Sequence, residues 1–181
     1  KLIEKMGGTI TFESAEGIGT TFVIRVPFKI DLDADKREEQ KDISEKSIKG
    51  LHILLAEDNE LNMEIAEFML QNEGAEVTKA WNGQEAVERF RKSKLGEFDV
   101  ILMDIMMPVM NGYEAAKRIR SLDREDARRI PIIAMTANAF TEDRLKAKEA
   151  GMDEHISKPV DVKLLLKVIY KLVENSKTEN P

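Results

Sequence analysis

Five polar residues stand where apolar runs of this chain end. Glu57 and Asp58 follow residues 51–56 (LHILLA), and Asp104 follows 100–103 (VILM). Thr136 follows 130–135 (IPIIAM), and Lys158 follows the short run 154–157 (EHIS). A single aspartate in such a place is ordinarily a helix cap or an Asx turn, and for Asp104 taken alone that alternative stays open. Three carboxylates in one cleft are different, because they raise one another's pKa values and burying a bare carboxylate is costly. A divalent cation removes both problems, and oxygen ligands at an open, wet edge suit Mg²⁺, which keeps several of its waters. Lys158 adds a mobile positive charge and Thr136 a hydroxyl. Together these are the parts needed for phosphoryl transfer to an aspartate: cation and ammonium offset charge on the phosphoryl oxygens while Asp104 attacks in line. The product is an acyl phosphate on Asp104.

That chemistry requires the strand ends to converge, and the hydrophobic periodicity predicts that they do. From residue 51 the pattern is strand then helix, five times over. The strands are predicted over residues 51–56, 76–80, 100–104, 130–135 and 154–157. The first helix carries Leu61, Ile65, Phe68 and Met69 at helical spacing, with Gly74 as its stop. The second carries Ala86, Val87 and Phe90, the third Ala115, Ile119 and Leu122, and the fourth spans residues 141–150. The fifth has a stripe of Val162, Leu165, Leu166, Ile169, Leu172 and Val173. Residues 100–104 are apolar without alternation up to Asp104, as in a central strand buried on both faces; Pro108 cannot continue it and Gly112 suits a turn. Alternating strands and helices imply α/β architecture: a parallel sheet, right-handed crossovers and helices on both faces. Five such strands take the flavodoxin-like order 2-1-3-4-5, with ligands at the carboxyl edge. Glu57, Asp58 and Asp104 then meet on adjacent strands.

Residues 1–50 read differently. A helix end at residues 1–6 stops at Gly7-Gly8. Two alternating runs follow, one with Ile10 and Phe12 on a face and one with Phe22, Ile24, Val26 and Phe28, joined by a glycine-rich turn. They predict a β-hairpin with an apolar face, marginal on its own, which packs on something else or pairs with another copy in a homodimer. Residues 29–50 are polar and charged and read as a linker. Residues 175–181 read as a polar tail.

Composition sets bounds. The 181 residues hold no cysteine, which excludes disulfides, thiolate chemistry and zinc–thiolate sites. The two histidines, His52 and His155, are isolated. A net charge of −6 argues against nucleic acid as a partner, and no run approaches a membrane span. The chain begins at Lys1, so a fragment of a longer, cytoplasmic region is expected, whatever anchors the parent.

The motifs carry two resemblances. The acid pair Glu57-Asp58, the run M-D-x-M-M-P-x-M-N-G around Asp104, Thr136-Ala137 and Lys158-Pro159 resemble the receiver domain of two-component signalling, over residues 51–174. The resemblance implies Asp104 as phosphoacceptor, Asp58 as direct Mg²⁺ ligand, Glu57 as ligand through water, and the backbone carbonyl of Met106 as a further ligand. It implies that Thr136 and Lys158 contact the phosphoryl group, that Lys158-Pro159 is a cis peptide, and that the phosphodonor is a phosphohistidine on a kinase core or a phosphotransfer protein. It also implies that phosphorylation reshapes the face of the fourth helix, fifth strand and fifth helix. Met6-Gly-Gly8, Glu13-Ser14 and Gly17-Ile-Gly-Thr20 resemble the end of the ATP-binding domain of sensor histidine kinases, over residues 1–28. That family's other boxes are absent, so the fragment accepts and loses phosphoryl groups and is not itself the kinase. The order of the pieces matches a hybrid histidine kinase.

The receiver pattern has departures. The position three before the lysine, usually aromatic, holds His155, which is either the switch side chain or an ordinary strand-end histidine. Asn111 replaces the commoner aspartate before Gly112. Met106 and Asn138 occupy the positions that tune dephosphorylation; methionine cannot orient a water and asparagine can, and a fairly long-lived phosphoryl group is expected. Two other readings compete. An aspartyl phosphatase of the haloacid-dehalogenase type needs a second aspartate two residues after the first, where this chain has Met106. A degenerate, partner-binding receiver would have lost one of the five site residues. Met103, Met107 and Met110 read as packing, and Trp81 as surface or loop contact.

Overall fold

The computed structural model describes residues 2–15, 17, 19–27, 47–137 and 141–178. The chain divides into two compact units, Lys1–Ile43 and Ser44–Pro181.

In the first unit a short helix, α1 (Leu2–Lys5), precedes strands β1 (Thr9–Ala15) and β2 (Gly19–Arg25), which pair antiparallel. Phe12 lies opposite Phe22 and Ile10 opposite Ile24, so the expected apolar face forms. The two rings stack at a tilt with centroids 5.8 Å apart. Every residue of both strands is exposed. Phe28 and residues 29–46, which carry most of the expected linker, lie outside the described residues.

The second unit holds β3 (His52–Ala56), α2 (Glu60–Asn72), β4 (Glu76–Ala80), α3 (Gly83–Lys92), β5 (Val100–Asp104) and α4 (Gly112–Arg120). A 3-10 turn (Glu125–Arg128) leads to β6 (Ile132–Thr136), α5 (Thr141–Glu149), β7 (Glu154–Ser157) and α6 (Val162–Thr178). The sheet order is β4-β3-β5-β6-β7 and each neighbouring pair is parallel, which is the 2-1-3-4-5 order expected. Strand residues alternate between two cores. Leu54, Ile101, Met103 and Ile132 pack against Phe90 of α3, Ile119 of α4 and Ala147 of α5. Ile53, Leu55, Leu102 and Ile133 pack against Met63 and Leu70 of α2 and Leu165, Ile169 and Val173 of α6.

Asparagine caps start three of the helices. Asn59, Asn82 and Asn111 each accept the N–H of the residue three further on, Asn62, Glu85 and Glu114, which satisfies one orphan donor per helix. Asn111 therefore does here what an aspartate would do.

The structure departs from the sequence expectation in five places. On α2 the buried residues are Met63 and Leu70, while Leu61, Ile65 and Phe68 are exposed, Phe68 by 71%. The helix has apolar residues at helical spacing on two faces, and periodicity alone did not say which one meets the sheet. Strand β6 starts at Ile132 because Pro131 has no N–H to give the ladder, although Ile130 is buried beside it. Leu122 lies past the end of α4 but still packs on the core. Helix α6 continues to Thr178, beyond the expected start of the tail. Ile48, expected in the linker, is buried in the second core.

The amino edge of the sheet is tied by Arg120, at the end of α4. Its Nε donates to the Gly151 carbonyl (2.8 Å), and its Nη1 donates to the carbonyls of Ala127 (2.9 Å) and Ile130 (2.8 Å). Its Nη2 pairs with Asp153 Oδ2 at 2.9 Å. One planar fork thus satisfies three loop carbonyls and a carboxylate that itself accepts the Ile132 N–H. Arg120→Ala leaves those acceptors unmet and is expected to lower stability by about 2–3 kcal/mol, read from a urea unfolding curve with unchanged slope.

Candidate functional site

The carboxyl edge is built by four strand ends. Ala56 pairs with Met103 across β3 and β5, which sets Glu57 and Asp58 beside Asp104. Asp104 pairs with Met135 and Thr136 with Ser157, so the threonine and Lys158 follow on the next two strands. The Lys158 N–H donates to the Thr136 carbonyl (2.7 Å), continuing the ladder one residue past β7. The Lys158-Pro159 peptide is cis.

Carboxylate oxygens of Glu57, Asp58 and Asp104 all lie within 4.8 Å of one another. Glu57 and Asp104 are buried and Asp58 is exposed, as an open-sided cation site requires. Lys158 Nζ reaches Glu57 Oε2 at 2.5 Å and Asp104 Oδ2 at 2.9 Å. Burial works against the ammonium, but its hydrogen bonds and attraction to Glu57 and Asp104 outweigh it, and its pKa is raised. For Asp104 the balance falls the other way. Burial raises its pKa, and the Lys158 hydrogen bond and charge offset only part of that. Thr136 is buried at the same edge.

The loop after Asp104 is held tightly. The Gly112 N–H donates to the Ile105 carbonyl (3.0 Å), and a Cβ on Gly112 would lie 2.3 Å from the Asp104 carbonyl oxygen, so only glycine fits. Between them Val109 takes φ +68°, unusual for a β-branched residue, closing a three-residue turn from the Met110 N–H to the Pro108 carbonyl (2.7 Å). The Met106 N–H reaches Asp104 Oδ1 at 3.4 Å, while the Met106 side chain is 76% exposed; Met103, Met107 and Met110 are buried.

All five charge- and hydroxyl-bearing residues picked from the sequence therefore meet at one edge. His155 sits on β7 opposite Ala134, partly buried, with Nδ1 3.2 Å from Glu154 Oε1. Asn138 lies outside the described residues. Sequence patterning does not single out Asn62, whose side-chain amide donates to Glu57 Oε1 (3.1 Å). Its signal was there: an asparagine in the first helical turn after an acid pair.

The response regulator receiver domain family matches residues 53–170. The chain belongs to that family. The receiver domain of a sensor histidine kinase from Pseudomonas aeruginosa, crystallised with a magnesium ion in its active-site cleft, is similar. It is 38% identical, with TM-score 0.63 over 69% of this chain and 98% of that one. A Saccharomyces cerevisiae response regulator's receiver domain, crystallised with a histidine phosphotransfer signalling protein, is 30% identical; the TM-score is 0.60, over 68% of this chain and 89% of that chain. Among curated proteins, the aerobic respiration control sensor of Escherichia coli is 34% identical over 180 residues, 99% of this chain and 22% of its own length. Histidine kinase 1 of Arabidopsis thaliana is 35% identical over 163 residues, 74% of this chain and 14% of its own length. The chain thus spans less than a quarter of these relatives. Among the described residues of this receiver-containing chain, no helix is long and apolar enough to cross a membrane.

The raised pKa of Asp104 has a definite sign. Between the ordinary aspartate value and the raised one, the folded state holds a proton that the unfolded state has lost, so stability falls as pH rises through that window. With metal removed by chelator, Asp104→Asn is expected to melt a few degrees higher than the wild type at neutral pH. The gain should shrink as pH falls and be gone below about pH 3, where the aspartate is neutral in both states. A variant less stable at neutral pH would mean that the Lys158 pair outweighs the burial.

Proposed function

We propose that this receiver domain is the phosphoacceptor of a hybrid histidine kinase, and that Asp104 takes a phosphoryl group from a phosphohistidine. The observation that carries the proposal is the Lys158 ammonium, 2.9 Å from Asp104 in a site where three carboxylates gather within 4.8 Å. An Asp104 carboxylate oxygen attacks phosphorus as the P–N bond of the phosphohistidine breaks, and the electron pair leaves with the imidazole. Lys158 turns from Glu57 to the phosphoryl oxygens, and the Thr136 hydroxyl donates to another of them. Asp58, Asp104 and the Met106 carbonyl would hold Mg²⁺ directly and Glu57 would hold it through water; the ion would supply Lewis-acid stabilisation of the transferring group, and the magnesium ion in the relative's active-site cleft supports a cation at this edge. Met106 offers no donor to orient an attacking water, so the acyl phosphate persists.

Drawing Thr136 toward phosphorylated Asp104 would reshape the face of α5, β7 and α6, where Leu145 and Leu164 are exposed and His155 is partly buried on β7. The domain limits follow from the same reading: residues 1–28 end a kinase ATP-binding domain, 29–50 link it and 51–174 form the receiver, whose core also takes in Ile48 of the linker and whose last helix runs to Thr178 into the tail of 175–181. The E. coli sensor's match over 99% of the chain supports the first of these. The exposed hairpin face, with Phe12 and Phe22, then packs on other elements of such a domain or on a second copy.

The donor must bring its histidine to the carboxyl edge, and the exposed apolar face of α2 begins one turn from Asp58. Leu61, Ile65 and Phe68 form it. The test uses a phosphorylated histidine phosphotransfer protein as donor. Label should move to the wild-type chain, be released by neutral hydroxylamine, and be absent with Asp104→Asn. Phe68→Ser, a surface change, should slow that transfer about tenfold while leaving phosphorylation by acetyl phosphate unchanged. Label that resists hydroxylamine would contradict the acceptor assignment, and equal slowing with both donors would contradict the docking face.

A further inference from the structure

Glu57 is the most enclosed charge in the site, only 2% exposed. A buried carboxylate must have both oxygens satisfied, and its orientation is set by what satisfies them. Oε2 faces Lys158 at 2.5 Å. Oε1 receives the Asn62 side-chain amide at 3.1 Å and a longer contact from the Asn59 N–H at 3.4 Å. In an ordinary capping box, the side chain three residues after the cap returns to the cap's own N–H. Here the first half of that box is present, because Asn59 Oδ1 accepts the Asn62 N–H at 3.0 Å. The second half is replaced. The cap N–H turns to Glu57, and so does the Asn62 amide, so the start of α2 is built around the carboxylate that precedes it.

We propose that Asn62 is a positioning residue of the phosphoacceptor site, which by donating to Glu57 Oε1 holds Oε2 toward Asp104 and the Mg²⁺ that the proposed function requires. Lys158 is shared between Glu57 and Asp104, so a cation displaces it by repulsion, or a phosphoryl group draws it away, and Oε2 is freed. At that moment the ammonium no longer orients Glu57, and the Asn62 amide is the side-chain donor that still does. Without it the carboxylate turns about its last bond to find another donor, and Oε2 leaves the cation. Asn62 never touches the phosphoryl group; it acts through Glu57 alone. Its side chain is exposed at the helix surface, so its packing contribution is small.

The inference rests on the Mg²⁺ site proposed above, and a double-mutant cycle separates the two. Mg²⁺ affinity is measured by calorimetry on the full chain for wild type, Asn62→Leu, Glu57→Ala and the double variant. Loss of an outer hydrogen bond to a ligand costs about tenfold or more in metal affinity. Asn62→Leu is expected to weaken Mg²⁺ about tenfold in the wild-type background, and to have no further effect once Glu57 is alanine. Equal affinity of Asn62→Leu and wild type would overturn the proposal while leaving the metal site intact. The same loss in both backgrounds would overturn it too, since helix fraying acts without regard to Glu57. A wild type that binds no Mg²⁺ at millimolar concentration would remove the metal site and the proposal with it. Should Glu57→Ala fail to fold, the single Asn62→Leu comparison still decides against the proposal if affinity is unchanged. Asn62→Gln, which keeps a donor, then supplies the supporting result by restoring affinity that leucine loses.

Discussion

The structure depends on a lysine ammonium held between two buried carboxylates. Lys158 meets Glu57 and Asp104 from the end of β7, across the width of the sheet's active edge. Without a cation there, two enclosed negative charges would face each other in a region of low polarisability, and one would take up a proton. With Lys158 in place the pair is tolerated, though not comfortably: burial still keeps the Asp104 pKa above the ordinary aspartate range. That residual discomfort is useful. A carboxylate incompletely neutralised by its own chain attracts a further cation, and a lysine shared between two partners can be lent to an incoming phosphoryl group.

The fold exists to make that meeting possible. Placing β5 beside β3 brings Asp104 to the acid pair, and the β5-β6-β7 succession delivers Thr136 and Lys158 in turn. The loop behind Asp104 is packed so closely that Gly112 has no room for a methyl group. Far from the site, Arg120 fastens the opposite edge by satisfying three carbonyls from two loops. The hairpin is another matter. With every strand residue exposed and Phe12 against Phe22, it is a two-stranded ribbon that cannot account for its own stability.

Much of this was legible in the sequence, for a physical reason. Strands buried on both faces must be apolar throughout, so a charge at the end of one stands out, and the βα alternation admits few sheet orders. Asp104, Glu57, Asp58, Thr136 and Lys158 could be chosen on that ground. What was not legible depended on contacts between elements. Helix α2 has two apolar faces of equal periodicity, and only the sheet decides that Met63 and Leu70 go inward while Phe68 stays out. Asn62 looks like half of a capping box until Glu57 is seen to take its amide. Ile48 lies in a charged stretch, and nothing in its neighbours marks it as core. The 3-10 turn at Glu125–Arg128 is too short to have a period.

The most direct test of the account is the intact mass of the chain after incubation with acetyl phosphate, with and without Mg²⁺, beside Asp104→Asn. The account predicts the gain of one phosphoryl group that needs both the ion and the aspartate. No gain, with Mg²⁺ binding independently shown, would contradict it and leave a receiver that works by binding partners instead.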